Sequence, residues 1–319
     1  MATLHAVEAS IDPIDASVVI CTYTEDRWDD LTAAIESVRR QSRVPTQVIL
    51  VVDHAPALEA RIRVAFPEAL TVANGGRPGL SGGRNTGIAA STGSIVVFLD
   101  DDAVAEDEWL GRLLAPFADP GVVATGGLAL SSFDRGRPVW FPPEFDWVVG
   151  CTYRGHPLDG EIRNPLGCNM AIRRSAFDGI DWFREDMGRS GTRPLGCEET
   201  ELCIRLRRQD PRRRILMVPS AVVTQRVPAP RSTFRYLAAR CFAEGISKAT
   251  VSQTVGRERA LASERRYATR VLPRAAWDGV GESLRIRSGD GARRALTIGC
   301  GLLLTTAGFA YGSVRQTRL

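Results

Sequence analysis

The run Ser94-Ile95-Val96-Val97-Phe98-Leu99-Asp100-Asp101-Asp102-Ala103 constrains this chain more than any other segment, because a short apolar run passes straight into three consecutive carboxylates. An apolar run bounded by polar residues predicts a central strand of a covered sheet. Like charges packed at the end of such a strand repel one another unless a cation compensates them. Hard oxygen ligands suit Mg²⁺ or Mn²⁺, ions that take one or two carboxylates, keep several waters and complete their shell with substrate phosphate. The alternative is a solvated acidic turn, which a position directly after a buried strand disfavours.

Upstream, the sequence alternates strand and helix. A strand over 17–21, a loop, a helix over 29–41 and a strand over 47–52 ending at Asp53 form a βαβ unit. The helix rests on Leu31, Ala34, Ile35 and Val38 at i, i+3, i+4 and i+7, with acids in its first turn. A helix over 57–66, a strand over 70–73, a Gly-rich loop and another helix lead into the Asp-ended strand. This alternation predicts an α/β fold with a doubly wound, mostly parallel central sheet and helices on both faces. Ligands of such sheets gather at the carboxyl ends of the strands, so Tyr23, Asp53 and Asp100 to Asp102 are expected to share one crevice.

The loop from Asn74 to Gly87 is neither a Walker loop nor a dinucleotide fingerprint. Its glycines either make turns or let backbone approach a phosphate at a helix start near Gly83, where Arg84 would offer a bidentate fork to a diphosphate. Past Asp102, a helix over 107–117 and a strand over 122–128 precede an aromatic stretch with Trp140, Phe141, Phe145, Trp147 and Tyr153, read as packing. A short strand then spans 167–173, and a helix opening with acids spans 196–206. Glu201 and Arg205 are an i,i+4 pair on that helix. Glu198 and Glu199 are expected to precede its regular part and point into the crevice, where one carboxylate would serve as general base.

Composition is that of a folded protein, with 44% hydrophobic and 24% charged residues. A net charge of +4 is too small to imply nucleic acid as a partner. The seven cysteines are scattered without a Cys-x-x-Cys pair, as expected of a reduced, cytoplasmic chain, and residues 1–15 do not read as a signal peptide. Residues 295–312 approach membrane length, but their glycines and threonines favour a tail helix packed on the body or lying on a membrane.

Taken in order, several motifs resemble those of the family 2 glycosyltransferases. They are Cys21-Thr22-Tyr23-Thr24-Glu25-Asp26-Arg27, Asp53, the run from Gly79 to Gly87, Phe98-Leu99-Asp100-Asp101-Asp102, Gly167-Cys168-Asn169 and Glu198-Glu199-Thr200-Glu201-Leu202. The resemblance covers roughly residues 17–240 and implies a GT-A fold and an inverting, metal-assisted transfer of sugar from a nucleoside-diphosphate sugar to a hydroxyl acceptor. It assigns donor binding to Thr22, Tyr23, Asp53, Arg84 and Asp101, and metal binding (Mn²⁺ or Mg²⁺) to Asp100 and Asp102. It assigns the catalytic base to Glu199, with Glu198 as substitute. The acceptor is a glycan, a lipid-linked glycan or a small molecule.

The chain departs from the family pattern at His54, which has no evident role, and at Gln225, which stands where relatives often carry His. The implied organisation is an N-terminal segment 1–16, a catalytic domain 17–230 (nucleotide half 17–103, acceptor half 104–230) and a C-terminal helical extension 231–319. Basic residues Arg231, Arg235, Arg240 and Lys248 open that extension, which either closes over the diphosphate, meets acidic lipid or is a solvated face. Removal of the chain from Arg293 onward is expected to leave a donor-binding core. Intact Asp100, Asp102 and Glu199 argue against a non-catalytic nucleotide-sugar binder, and the lack of a Gly-rich, Lys-containing loop near the N-terminus argues against a sugar nucleotidyltransferase.

Overall fold

The computed structural model describes residues 14–189, 191, 194–256 and 261–316. Strands β1 (Ala16–Thr22), β2 (Gln47–Val52), β3 (Leu70–Ala73) and β4 (Ile95–Asp100) alternate with helices α1 (Trp28–Arg39), α2 (Pro56–Ala65) and α3 (Leu80–Ala90). Next come β5 (Ala103–Ala105), α4 (Trp109–Leu114), β6 (Val122–Phe133), β7 (Asn169–Arg173), α5 (Glu198–Gln209) and β8 (Arg214–Val227). The later helices are α6 (Phe234–Val255), α7 (Ala262–Arg266), α8 (Leu272–Ile286) and α9 (Asp290–Gln316), with a π-helical turn at Tyr267–Val271.

The sheet order is β3-β2-β1-β4-β7-β6-β8-β5. β1, β2, β3 and β4 run parallel, as does the β6–β8 pair, while β7 is antiparallel to both β4 and β6, and β5 to β8. The sheet is therefore mixed past β4. Parallel register sets Cys21 beside Asp100 and Thr22 beside Val52, which brings the carboxyl ends of β1, β2 and β4 to one edge.

Apolar side chains leave the sheet on both faces. Leu31, Ile35, Leu58, Ile62 and Trp109 from α1, α2 and α4 fill one side, and Ile88, Leu202 and Leu206 from α3 and α5 fill the other. Each such side chain, fully buried, contributes about 1.5–3 kcal/mol. Asn169 locks the second half: its Nδ2 donates to Leu128 O and Ala221 O at 3.0 Å each, and its Oδ1 accepts from Trp109 Nε1 at 2.8 Å. This motif residue thus ties β7 to β6, β8 and α4.

Three sequence expectations change. The Gly-rich helix starts at Leu80, not near Gly83, so Gly82, Gly83 and Arg84 lie within it. Its glycines serve packing: a Cβ on Gly87 would collide with Val19 of β1, and one on Gly83 would sit 3.3 Å from Cys21 Sγ. The second change is at α5, which begins at Glu198, so both glutamates belong to its first turn. The strand expected over 122–128 continues to Phe133, carried by its pairing with β8.

The aromatic stretch is packing, as expected for Phe141 and Phe145. Both join Val148, Leu237, Leu272 and Ile298 in one apolar cluster that binds α6, α8 and α9 to the body. α9 approaches α6 at backbone distance, since a Cβ on Gly245 would collide with Thr305 O and one on Gly308 with Phe242 O. The segment after residue 230 is therefore packed into the molecule, which is the packed one of the two readings of the tail helix: Ile298 is only 3% exposed within the shared cluster.

Candidate active site

A continuous cavity of about 720 Å³ runs along the carboxyl ends of β1, β2 and β4. Thr22, Tyr23 and Asp53 stand at one end, Asp100, Asp101 and Glu199 in the middle, and Tyr267, Leu272, Leu302 and Thr305 of the late helices form the far wall. The expected meeting of Tyr23 and Asp53 with Asp100 and Asp101 is thus observed, whereas Asp102 does not line the cavity.

At the first end, Thr22 Oγ1 is buried without a hydrogen-bond partner, a polar atom left for a ligand. Tyr23 is half-exposed, with Arg27 stacked 5.4 Å from its ring centroid. Asp53 holds the Gly-rich loop: its Oδ1 accepts from Asn74 Nδ2 at 2.6 Å and its Oδ2 from Gly79 N at 2.8 Å. His54, unexplained in the sequence, takes a left-handed backbone (φ 54°) and sets its Nδ1 2.8 Å from Asp53 Oδ1.

In the middle the aspartates have different partners. Asp100 Oδ1 lies 3.7 Å from Arg84, and burial raises the carboxyl's pKa. Asp101 accepts from Arg27 Nη1 at 2.6 Å, and burial pushes its carboxyl up to about 6. Its Oδ2 has no partner. Asp102 is engaged on both oxygens: Arg231 Nη1 donates to Oδ2 at 2.9 Å and Gln225 Nε2 to Oδ1 at 3.3 Å. Arg231 and Gln225 face the cavity while Asp102 lies behind them, so a cation reaching Asp102 must displace a guanidinium.

Arg84 stands where the sequence placed a diphosphate contact, yet the helix buries it to 2% exposure. Its Nη1 donates to Glu198 Oε1 at 2.8 Å. Burial opposes the guanidinium charge, but Glu198 and Asp100 outweigh it and raise its pKa. Gly167 is required beside it, because a Cβ there would collide with Arg84 Nη2. Glu198 is thereby held on Arg84, while its neighbour Glu199 is partly exposed along the cavity. Burial, then the charge of Glu198, pushes the Glu199 carboxyl up to about 8. The Glu201–Arg205 pair forms as expected, at 2.8 Å.

Among the described residues, no group of three or more His, Cys, Asp and Glu side chains could hold a metal ion alone. One or two aspartates with an unpartnered oxygen at Asp101 instead fit an ion completed by water and substrate phosphate, the habit of Mg²⁺-like cations. Sequence reasoning missed Arg27 and Arg189. Arg189 lines the cavity, and although burial works against its charge, Tyr236, Asp100 and Asp102 raise its pKa. It also missed a buried cluster near the far wall, where Lys248 pairs with Glu264 at 2.5 Å and Glu244 at 3.3 Å. Arg27 closes a motif and Lys248 stands in a basic run, but the partners Asp101 and Glu264 are brought to them by long-range packing.

Comparison with known proteins gives the family and the fold. Residues 17–181 match the family described as Glycosyl transferase family 2. The glucosyl-dolichyl phosphate glucuronosyltransferase of Haloferax volcanii is 32% identical over 237 residues, covering 73% of this chain and 75% of the relative. Among solved structures, the mannosyltransferase PcManGT from Pyrobaculum calidifontis, in complex with GDP-Man and Mn²⁺, superposes with a TM-score of 0.58 at 17% identity, over 93% of this chain and 87% of that one. GalNAc-T7 with UDP, GalNAc and Mn²⁺ gives a TM-score of 0.51 at 16% identity, covering 75% of this chain and about half (51%) of that one. The fold is accordingly of the GT-A kind that the sequence resemblance implied. Matched over more than half its residues, and aligned with a relative along three quarters of that relative's length, this chain belongs to the family 2 glycosyltransferases.

Proposed function

We propose that the chain transfers a sugar from a nucleoside-diphosphate sugar to a hydroxyl acceptor in one displacement, with inversion at the anomeric carbon. The observation that carries this reading is the division between Glu198, held on Arg84, and Glu199, partly open to the cavity that Asp100 also lines. Glu199 accepts the acceptor hydroxyl's proton. The hydroxyl oxygen then forms the new bond to the anomeric carbon as the bond to the diphosphate oxygen breaks, and the electron pair leaves with the diphosphate. Thr22, Tyr23 and Asp53, which line the cavity, would hold the nucleoside. Arg27, Arg189 and Arg231, which line the cavity, would meet the negative charge that grows on the leaving group, and Arg84 neutralises Asp100. A divalent cation, Mn²⁺ or Mg²⁺, would be held by Asp100 and, once Arg231 is displaced from it, by Asp102, and would supply Lewis-acid stabilisation of the departing diphosphate.

Glu199→Gln keeps size and removes proton acceptance, so turnover should fall by roughly 10²-fold or more with donor affinity nearly unchanged. Release of nucleoside diphosphate reads the first quantity and calorimetric donor titration the second. Full turnover in Glu199→Gln would reassign the base. The same reading gives the protein a cytoplasmic place with peripheral membrane contact through its late helices, and a glycan or lipid-linked acceptor.

A further inference from the structure

The outer faces of α8 and α9 are apolar and open. On α8, Trp277 and Leu284 are each 78% exposed, with Val280 between them at i+3, on one stripe. On α9, Leu296 and Leu303 are 70% and 72% exposed, and exposed Cys300, Ala307, Tyr311 and Val314 continue the same stripe. Single exposed apolar residues need no explanation, whereas a continuous stripe over several helical turns marks a surface that meets something.

Charge identifies the occupant. A groove of about 620 Å³ between α8 and the segment 137–155 is lined by Arg137, Arg154, Arg266, Arg270, Arg274 and Arg294, against only Glu144, Asp278 and Glu282. Arg137 is paired with Asp146, Arg154 with Glu144, Arg294 with Glu282 and, at 3.9 Å, Arg274 with Asp278, whereas Arg266 and Arg270 have no ion-pair partner among the described residues. Trp277 sits about 60° around the helix axis from Arg274, so the basic groove flanks the apolar stripe. A second copy docking through this face would bring like-charged grooves together. A bilayer with anionic headgroups complements both the stripe and the arginines.

α9 carries no charged residue from Ala295 to Val314, long enough to cross a membrane at about 1.5 Å per residue. Its inner face, however, is locked onto the α6 backbone at Gly245 and Gly308, and α6 carries Arg240, Glu244 and Lys248. It therefore lies along a surface rather than through it. We propose that α8 and α9 dock the enzyme on an anionic bilayer, apolar stripes in the headgroup boundary and lipid phosphates on Arg266, Arg270 and Arg274. This rests on the reading of peripheral membrane contact above and adds the surface and the lipid class. The same helices wall the cavity through Leu272 and Leu302, so the docked face and the reaction chamber share their supports.

The test is co-sedimentation of the full chain with vesicles of phosphatidylcholine alone and of phosphatidylcholine containing one third phosphatidylglycerol. Partition should favour the anionic vesicles at least tenfold near 0.1 M salt and collapse toward the neutral value at about 0.5 M, where screening shortens the reach of the arginines. Arg266→Glu with Arg270→Glu should cost about fivefold or more per arginine on anionic vesicles. Trp277→Ser with Leu284→Ser should weaken binding to both. All four positions lie outside the reaction cavity, so nucleoside-diphosphate binding without vesicles should stay unchanged and the melting temperature checks folding. Equal binding to both vesicles, or indifference to the arginine pair, overturns the anionic-lipid assignment while leaving membrane contact standing. Binding to neither, with a dimer in light scattering, overturns membrane contact itself and gives the stripe to a second copy.

Discussion

The two walls of the cavity are built in opposite ways. The strand-end wall takes Thr22, Asp53 and Asp100 from the tips of adjacent parallel strands, so a register of backbone hydrogen bonds fixes their spacing. The helical wall takes Tyr267, Leu272, Leu302 and Thr305 from elements held by side-chain packing and by glycine-mediated contact between α6 and α9. The first wall concentrates charge and holds it with buried arginines; the second sets apolar side chains beside one internally paired cluster of Lys248, Glu244 and Glu264. Damage to the first should therefore appear as lost electrostatic balance, and damage to the second as lost packing.

The largest effect is expected at Arg84→Met, which leaves the buried Glu198 and the partly buried Asp100 without their cation. A loss of about 3–5 kcal/mol in urea unfolding is expected. A loss under about 1 kcal/mol would mean that the strand-end wall does not depend on its buried charge.

Glu199 ranks next. With its carboxyl pushed up to about 8, the rate should rise roughly tenfold per pH unit below that value, as the base loses its proton, and then level off. The sign for stability is opposite. A carboxyl raised from 4.5 to about 8 on folding binds its proton more tightly in the native state, so its contribution is complete below 4.5 and is lost as pH rises through 8. Glu199→Gln should flatten that slope in thermal melts across pH 4–9, and an unchanged slope would place the titration elsewhere.

Gly301→Val probes the helical wall. A Cβ there would strike the Phe145 ring, and overpacking should cost about 1–3 kcal/mol with little change in nucleoside-diphosphate affinity of the molecules that remain folded. Full stability would show that α9 can lift away. The smallest effect is expected at Thr233→Ala, which removes the α6 N-cap bond from Tyr236 N at 3.2 Å and should lower stability by about 1 kcal/mol.

The contrast also explains what was legible in the sequence. The strand Ile95–Asp100 announces itself by an apolar run and its acids, and the parallel order follows from strand and helix alternation, so the meeting of Asp53 with Asp100 could be foreseen. Arg84 was visible as a residue, but its partner was not, because Glu198 lies 114 positions away and the helix start had to be placed to within a turn. Arg231 on Asp102 spans 129 positions and carries no periodic signal. The helical wall was least legible: Leu302 reads as one more apolar residue in a tail, and only the glycine contacts of α9 reveal that this helix is keyed into the body.

That keying bears on how the chain is made. The acids of the strand-end wall emerge from the ribosome by Asp102, but Leu302 follows 200 residues later, about 10–40 s of synthesis at ordinary rates. Until α9 arrives, Phe141, Phe145 and Val148 lack the helix that covers them, and the cavity stands open on one side. The nascent protein thus carries its charged half assembled and its apolar half exposed. This interval is when holdase chaperones would find the most to bind, and a translational pause before Asp290 would lengthen it.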